Sequence, residues 1–523
     1  PPAPDAVRRL LAGDRDARLR AALEGLRVLD PACGAGALLA AAHRLARAQG
    51  ARLALSGVDL APVAADAARA RLAAEGARAE IACADALARR WAPADLVLAN
   101  PPFLRHEAIP AREKARAAKA SGLSRQADLS AHFAAVALRA APVVALVWPR
   151  ALDVSRSAEP LRADAAARGG FVLRLRSRAA GSFAASVDTV LAVWSLGATQ
   201  QPEAEAAVAL ADLSDAALAG LARGVAAPGL AFRRKAAAPS GAVPLGELCA
   251  VRFGTKTGCN AFFHLRPEGD GRFRSELAGL VRLAPDDVVP VLATLKEAAA
   301  PERLAPAHVL FRPGDAPGEA ALRYVRRGER LGVHRRPTCA GRSPWWRLAP
   351  GRGPAPVLYP AKVGARAFGI LNAAGIWEDK KFHALFPRGV DPAHLALLLG
   401  ATPIRLAIDE GARQLTGAQA IADVDCRVLA AAPFPRAAAI AAASADLDAL
   451  RSALARDPVT TDLDAMLDRP AQRDLDRLAG ALLGLGARDV ERSRAALRAR
   501  VAARLAHAAQ VRAKVQTLRS SRA

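Results

Sequence analysis

Asn100-Pro101-Pro102-Phe103 closes the apolar run Leu96-Val97-Leu98-Ala99 and combines three properties that one kind of chemistry needs. An exocyclic amine on an aromatic ring is a poor nucleophile, because its lone pair is delocalised into the ring. Two acceptors aimed at its two hydrogens pull the nitrogen toward tetrahedral geometry and free that lone pair. The Asn100 side-chain oxygen and the Pro101 carbonyl are two such acceptors, and Pro101 and Pro102 stiffen the loop that aims them. Phe103 offers a face on which a planar base can stack. This chemistry needs no strong base, so His106 is read as capping or lining the mouth rather than as a general base. Taken alone, the tetrapeptide also fits an ordinary turn with a core Phe.

Three earlier segments give it context. Asp30-Pro-Ala32-Cys-Gly34-Ala-Gly36 comes first, then Gly57-Val-Asp59, then Ala84-Asp85, each just after a predicted strand. Gly34 and Gly36 permit a tight turn and close approach of a ligand to the backbone, with Ala32 in the same loop. The spacing is not the dinucleotide G-x-G-x-x-G. Asp30 can meet a cationic amino-acid ammonium. Asp59 ends the next strand and can accept hydrogen bonds from both ribose hydroxyls. Asp85 can accept one from an adenine amino group. Any one of these aspartates could simply cap a helix. Three at successive strand ends, followed by Asn-Pro-Pro-Phe, describe an S-adenosylmethionine site beside a pocket for a planar amine. No metal is expected in it.

The elements that must carry these residues alternate. Strands are predicted at 26–29, 53–58, 79–82, 96–99, 143–147, 171–175 and 189–194, with helical periodicity between them, as in 62–74 and 128–140. Such alternation gives an α/β fold, a doubly wound and mostly parallel seven-stranded sheet covered on both faces. Ligands then sit at the carboxyl ends of the strands, where the motifs fall. Residues 1–200 are therefore read as the catalytic domain and 201–240, rich in Ala, Gly and Pro, as a linker. Residues 241–435 change to short strands, turns and aromatic clusters interleaved with Arg and Lys, a mixed α/β domain. Residues 436–523 read as a helical segment.

The chain has 523 residues and a formal net charge of +24. That surplus favours a polyanionic partner, although an Arg-rich genomic bias would contribute to it. The six cysteines are scattered without a C-x-x-C pair, which fits a reduced cytosol better than a zinc site or a disulfide framework. No apolar run reaches membrane-spanning length, so no membrane association is expected. The first residue is Pro1 rather than Met, which leads us to expect a processed chain or a fragment.

With these residues in place, the first 200 positions resemble the gamma-order, TaqI-like adenine-N6 DNA methyltransferases, in which a recognition domain follows the catalytic one. The resemblance implies double-stranded DNA as substrate, a restriction–modification setting with a cognate endonuclease, a monomer, and a bacterial cytoplasmic location. It places Asp30, Gly34, Gly36, Asp59 and Asp85 around the cofactor and Asn100 to Phe103 in the catalytic loop. It adds Asp128-Leu-Ser to Phe133 as the start of the following helix, and Val147-Trp-Pro149 as a strand-end motif. It also makes Phe183, in Gly181-Ser-Phe183, a second contact for a flipped base. The family more often has Tyr where this chain has Phe103; both rings stack. The stretch from Leu245 to Leu265 is similar to the opening of the family's recognition domain. Arg252, Lys256, Arg326 and Lys362 are the corresponding DNA-binding candidates, while Trp345 and Trp346 are read as core. Glu378-Asp379-Lys380-Lys381 is expected to be a charged turn. Rival readings are the modification and specificity part of a bifunctional restriction enzyme, a protein-glutamine or RNA methyltransferase, and a DNA-binding protein with a vestigial site.

Overall fold

The computed structural model describes residues 17–177, 189–201, 203–206, 230–233, 239–348, 351–414, 419–455 and 462–520. It divides into two units, Pro1–Ala236 and Ala237–Ala523.

In the first unit the predicted runs become β1 (Arg27–Asp30), β2 (Ala54–Asp59), β3 (Ala79–Cys83), β4 (Leu96–Ala99), β5 (Val143–Pro149), β6 (Gly169–Ser177) and β7 (Thr189–Leu196). Two further strands, β8 (Glu203–Ala206) and β9 (Leu230–Arg233), extend the same sheet. The order is β3-β2-β1-β4-β5-β7-β6-β8-β9. From β3 to β5 all neighbours are parallel, whereas β7 runs antiparallel to both β5 and β6. Among the described residues the sheet thus has the expected seven strands and two more. The region read as a connector supplies the additional pair. Each of these strands is four residues long and joins at the far edge of the sheet, where ladder hydrogen bonds hold it without a long apolar pattern.

Helices cover both faces: α1 (Ala17–Leu23), α2 (Ala37–Ala48), α3 (Pro62–Ala74), α4 (Ala111–Ser121), α5 (Leu129–Ala140) and α6 (Glu159–Arg168). Alternate strand residues feed opposite cores, as the pleat requires. Val28, Leu96, Val143 and Val193 pack into one with Leu39 and Leu72. Leu29, Val97, Val144 and Trp194 pack into the other with Phe133 and Leu138. The chain winds outward from β1 through β2 to β3, then returns to place β4 on the other side of β1. That reversal opens a crevice at the carboxyl ends of β1 and β4, the general ligand site of open α/β sheets.

The second unit has two larger sheets. Its labelled strands are β10 (Cys249–Phe253), β11 (His264–Gly269), β12 (Arg272–Ser275), β13 (Gly279–Arg282), β14 (Val288–Leu292), β15 (His308–Phe311), β16 (Val357–Pro360), β17 (Ile370–Leu371), β18 (Trp377–Glu378) and β19 (Phe382–Pro387). Six form a sheet in the order β13-β12-β11-β15-β14-β18 and four form another in the order β10-β19-β16-β17. An aromatic core backs the six-stranded sheet. Phe262 stacks on Tyr324 with ring centroids 4.3 Å apart, and Phe311, Trp346 and Trp377 join them. Trp346 is core, and Trp345 leans on Phe262 and Phe263.

The four-stranded sheet packs on the helices that follow it. α8 (Pro392–Leu398), α9 (Thr402–Gly411), α10 (Ser444–Ala455), α11 (Leu463–Leu467), α12 (Pro470–Leu483) and α13 (Ala487–Ser520) come after α7 (Glu319–Arg330) in the chain. Leu245, Val357, Leu385 and Phe434 share one core with Leu447, Leu475 and Leu483. The expected boundary at 435/436 therefore runs through a single core. Buried polar contacts cross the same boundary: Asp476 receives both the amide and hydroxyl of Thr402 at 2.7 Å, and Asp409 pairs with Arg500 and Arg504 at 2.6 Å each. The expected charged turn is present, closed by the Phe382 amide on the Asp379 carbonyl at 2.9 Å with Lys380 and Lys381 exposed, but Glu378 and Asp379 are fully buried rather than part of a solvated turn. Their partners, Arg352 and Asn260, lie 26 and 119 residues away along the chain, a pairing that local pattern does not reveal. No helix among the described residues is long and apolar enough to cross a membrane.

Candidate active site

Because β1 to β4 are parallel, the residues that end them share one edge of the sheet. Register aligns Asp30 with Gly57 and Asp59 with Cys83. Gly36 is the residue before α2 and has a φ of 77°, while Gly34 has a φ of 53°. Both lie in the left-handed region that glycine enters without strain. A Cβ on Gly36 would lie 3.1 Å from Ala68, so this turn also lets α2 and α3 close up. A Cβ on Gly34 would meet nothing within 4 Å, so the backbone there faces open space.

Asp59 is what ties this loop to the second strand. Its Oδ2 accepts from the Gly34 amide at 2.8 Å and its Oδ1 from the Ala61 amide at 2.9 Å. Each oxygen retains a further lone pair. The Cys33 amide donates to the Val58 carbonyl at 3.0 Å, a second tether. Asp30 is 1% exposed and receives the Ala32 amide at 3.0 Å. Burial, with the Asp59 charge adding, pushes its pKa up to about 7 against the pull of that one amide. Asp85 caps the turn at 86–88 by accepting from the Leu87 amide at 3.0 Å, and its other oxygen lies 3.4 Å from the Arg116 guanidinium.

The raised Asp30 value has a consequence for stability. Between the ordinary carboxylate value of 3.8 and about 7, the folded chain holds a proton that the unfolded chain has released. Stability attributable to this group is therefore highest below that window and falls as pH rises through it. Asp30→Asn is expected to flatten this component. Thermal melts of wild type and variant across the window test it, and curves that stay parallel would remove Asp30 as the source.

Asn100 is exposed at the end of β4, Pro101 is buried, Pro102 is exposed and Phe103 is half-buried. The segment after them is pinned to the start of α5. The Leu129 amide donates to the Leu104 carbonyl at 2.9 Å, and Asp128 Oδ1 accepts from the His106 amide at 3.0 Å. Asp128 thus holds the outgoing side of the loop. It lies 22 residues beyond His106, so the sequence offers no local sign of this role. The His106 ring faces Glu107 at 3.3 Å and Asp128 at 3.6 Å. Phe183 lies outside the described residues. In the second unit Arg252, Lys256, Arg326 and Lys362 are all exposed.

Residues 11–120 match the family model described as a methyltransferase small domain. No curated protein matches the chain. Among solved structures it is similar to a Listeria monocytogenes protein described as a class I S-adenosylmethionine-dependent methyltransferase. Identity there is 18%, coverage is 37% of this chain and 60% of that one, and the TM-score is 0.32. It is also similar to the methyltransferase subunit of a type I restriction-modification system from Streptococcus thermophilus (19% identity, 39% and 46% coverage, TM-score 0.31). A third is a Thermus thermophilus 16S rRNA N2 G1207 methyltransferase (18%, 37% and 43%, 0.23). The chain thus covers less than two thirds of each. The sheet order and the matched residues give the first unit a methyltransferase fold, and the cofactor is S-adenosylmethionine.

Proposed function

We propose that this chain transfers a methyl group from S-adenosylmethionine to the N6 amine of an adenine flipped out of double-stranded DNA, as part of a restriction–modification system. The observation that carries the reading is the position of Asn100-Pro101-Pro102-Phe103. It leaves β4 at the strand-order reversal, beside the glycine loop that leaves β1.

When bound, the cofactor supplies an electrophilic methyl group on a sulfonium. Asp30 would hold its ammonium, Asp59 its ribose hydroxyls and Asp85 the adenine amine, with the Gly34 backbone leaving room for close approach. The Asn100 side-chain oxygen and the Pro101 carbonyl would accept hydrogen bonds from the two hydrogens of the target amine and so localise its lone pair. Buried Pro101 and the Asp128 clamp keep those acceptors from swinging, and a loop fixed in advance needs little reorganisation as the target arrives. The Phe103 ring stacks on the extruded base. The second unit, Ala237–Ala523, contacts the duplex and selects the site, with Arg252, Lys256, Arg326 and Lys362 on its exposed surface.

The direct test is transfer of a labelled methyl group to a mixed duplex library, with the modified base and its context read out. Label on N6-adenine supports the reading; label on RNA or on a protein amide overturns it. For the cofactor, Asp59→Ala is expected to weaken binding by roughly 1–3 kcal/mol, as hydroxyls and two loop amides lose a charged acceptor. Calorimetry measures this, and unchanged affinity would take Asp59 out of the site. For the base, Phe103→Ala is expected to lose roughly 1–3 kcal/mol of stacking and Phe103→Trp to keep part of it. A duplex with 2-aminopurine at the target is expected to brighten on binding, and a cognate duplex that stays dark argues against flipping.

A further inference from the structure

Glu378 and Asp379 are both fully buried, and what they hold is one loop of the second unit. Burying carboxylates is costly unless they are matched by donors or cations. Here the Glu378 carboxylate faces the Arg352 guanidinium at 2.5 Å and the Thr255 hydroxyl at 3.5 Å. Arg352 also donates to the Thr255 hydroxyl oxygen at 3.0 Å. Asp379 accepts from the Asn260 side chain at 2.9 Å and from the Lys381 amide at 3.0 Å.

The backbone repeats the attachment. The Gly254 amide donates to the Phe382 carbonyl at 3.0 Å, the Thr255 amide to the Glu378 carbonyl at 3.0 Å, and the Lys380 amide to the Thr255 carbonyl at 3.1 Å. Arg342 donates to the Thr257 carbonyl at 2.5 Å. A Cβ at Gly254 would lie 2.4 Å from the Asp379 carbonyl oxygen and 2.7 Å from that of Phe382, so the loop is seated against this floor without a gap. Residues 254–257 are fixed from below by side chain and main chain alike.

The outer side of this fixed segment is unlike its floor. Phe253, the last residue of the edge strand β10, is 62% exposed. Arg252 before it and Lys256 after it are exposed. The Arg252 guanidinium lies 5.6 Å from the centre of the Phe386 ring, and the Phe253 ring centroid sits 5.8 Å from that of His383, which backs it. One exposed apolar side chain is unremarkable on most surfaces. This one adjoins a loop that buried charges immobilise and that carries Lys256, whereas Arg252 leaves the opposite face of the strand toward Phe386. Cations suit phosphates, an aromatic face suits a base stack, and a loop already ordered loses little entropy on binding.

We propose that Phe253 is a wedge that stacks against the bases of duplex DNA, with Lys256 on a neighbouring phosphate. This rests on the reading that the chain acts on duplex DNA. Wedges of this kind unstack a base step and bend the helix, and in return more protein surface meets the duplex.

The test is the affinity of the full chain for a random-sequence duplex oligonucleotide over a salt series. Phe253→Ala is expected to weaken binding by roughly tenfold to a hundredfold at every salt concentration. It is expected to leave the slope of log affinity against log salt unchanged, because no charge is removed. Phe253→Trp retains most of the affinity. Lys256→Ala lowers the slope by about 0.9, the share of one phosphate contact. A Phe253→Ala chain that binds as tightly as wild type overturns the wedge and leaves duplex binding standing. A wild-type chain that ignores the duplex at low salt, or prefers single-stranded RNA, overturns both.

Discussion

Asn100→Ala is expected to reduce methyl transfer by roughly a thousandfold or more while leaving cofactor affinity nearly intact. The side chain is exposed at the end of β4 and contributes nothing to either core of the first unit, so the variant keeps its fold. On the proposed mechanism, what it loses is one of the two acceptors that localise the lone pair of the target amine. The remaining acceptor, the Pro101 carbonyl, cannot orient both hydrogens alone. Asn100→Asp keeps one acceptor oxygen and is expected to be less damaged. Single-turnover transfer measured beside cofactor calorimetry separates the two effects. Near wild-type turnover in the alanine variant would sink the assignment, and a parallel loss of cofactor affinity would move Asn100 from the amine to the cofactor.

The second large effect is on salt dependence. The chain carries +24 formal charge, and on this reading its affinity for duplex DNA comes largely from phosphate contacts that release counterions. With about six to ten such contacts, affinity is expected to fall roughly 10³- to 10⁵-fold between about 50 and 200 mM salt, linearly on a log–log plot. Residues 237–523 alone are expected to show the same steep slope. Residues 1–236 alone are expected to bind cofactor but to discriminate poorly among duplexes, because a pocket for one base cannot read its neighbours. Fluorescence titration of both parts decides. Site-specific methylation by 1–236 alone, or indifference of 237–523 to duplex at low salt, defeats this division of labour.

Much of the first unit can be read from the sequence because its signals are local. Parallel strands buried on both faces appear as short apolar runs, and β4 falls on its predicted span, as does the helix from Pro62 to Ala74. The glycine loop is equally plain, since Gly34 and Gly36 sit where the turn needs left-handed backbone. Short edge strands such as Leu230–Arg233 escape, being too brief for a period to emerge. Partnerships distant in sequence escape as well: Asp128 with the His106 amide, Arg116 with Asp85, Arg352 with Glu378. Each pairs a common residue type with a neighbour that only the fold brings near. The turn at Lys380-Lys381 is legible, but the burial of Glu378 and Asp379 before it is not, since two adjacent charges are usually solvated.

The core that joins Leu245 and Phe434 to Leu475 and Leu483 bears on how a new target preference could be grafted onto this chain. A chimera that exchanged only residues 241–435 would set foreign side chains against the native α10, α12 and α13. Cores at packing density tolerate such mismatches poorly, each cavity or clash costing on the order of 1–3 kcal/mol. The Asp409–Arg500 pair would compound the damage where the incoming segment lacks the carboxylate, since Asp409 changes hands and Arg500 does not. If the second unit selects the site, as proposed, the exchangeable cassette is the whole of 237–523, and recombination between relatives is expected to trade specificity through crossovers near residue 236.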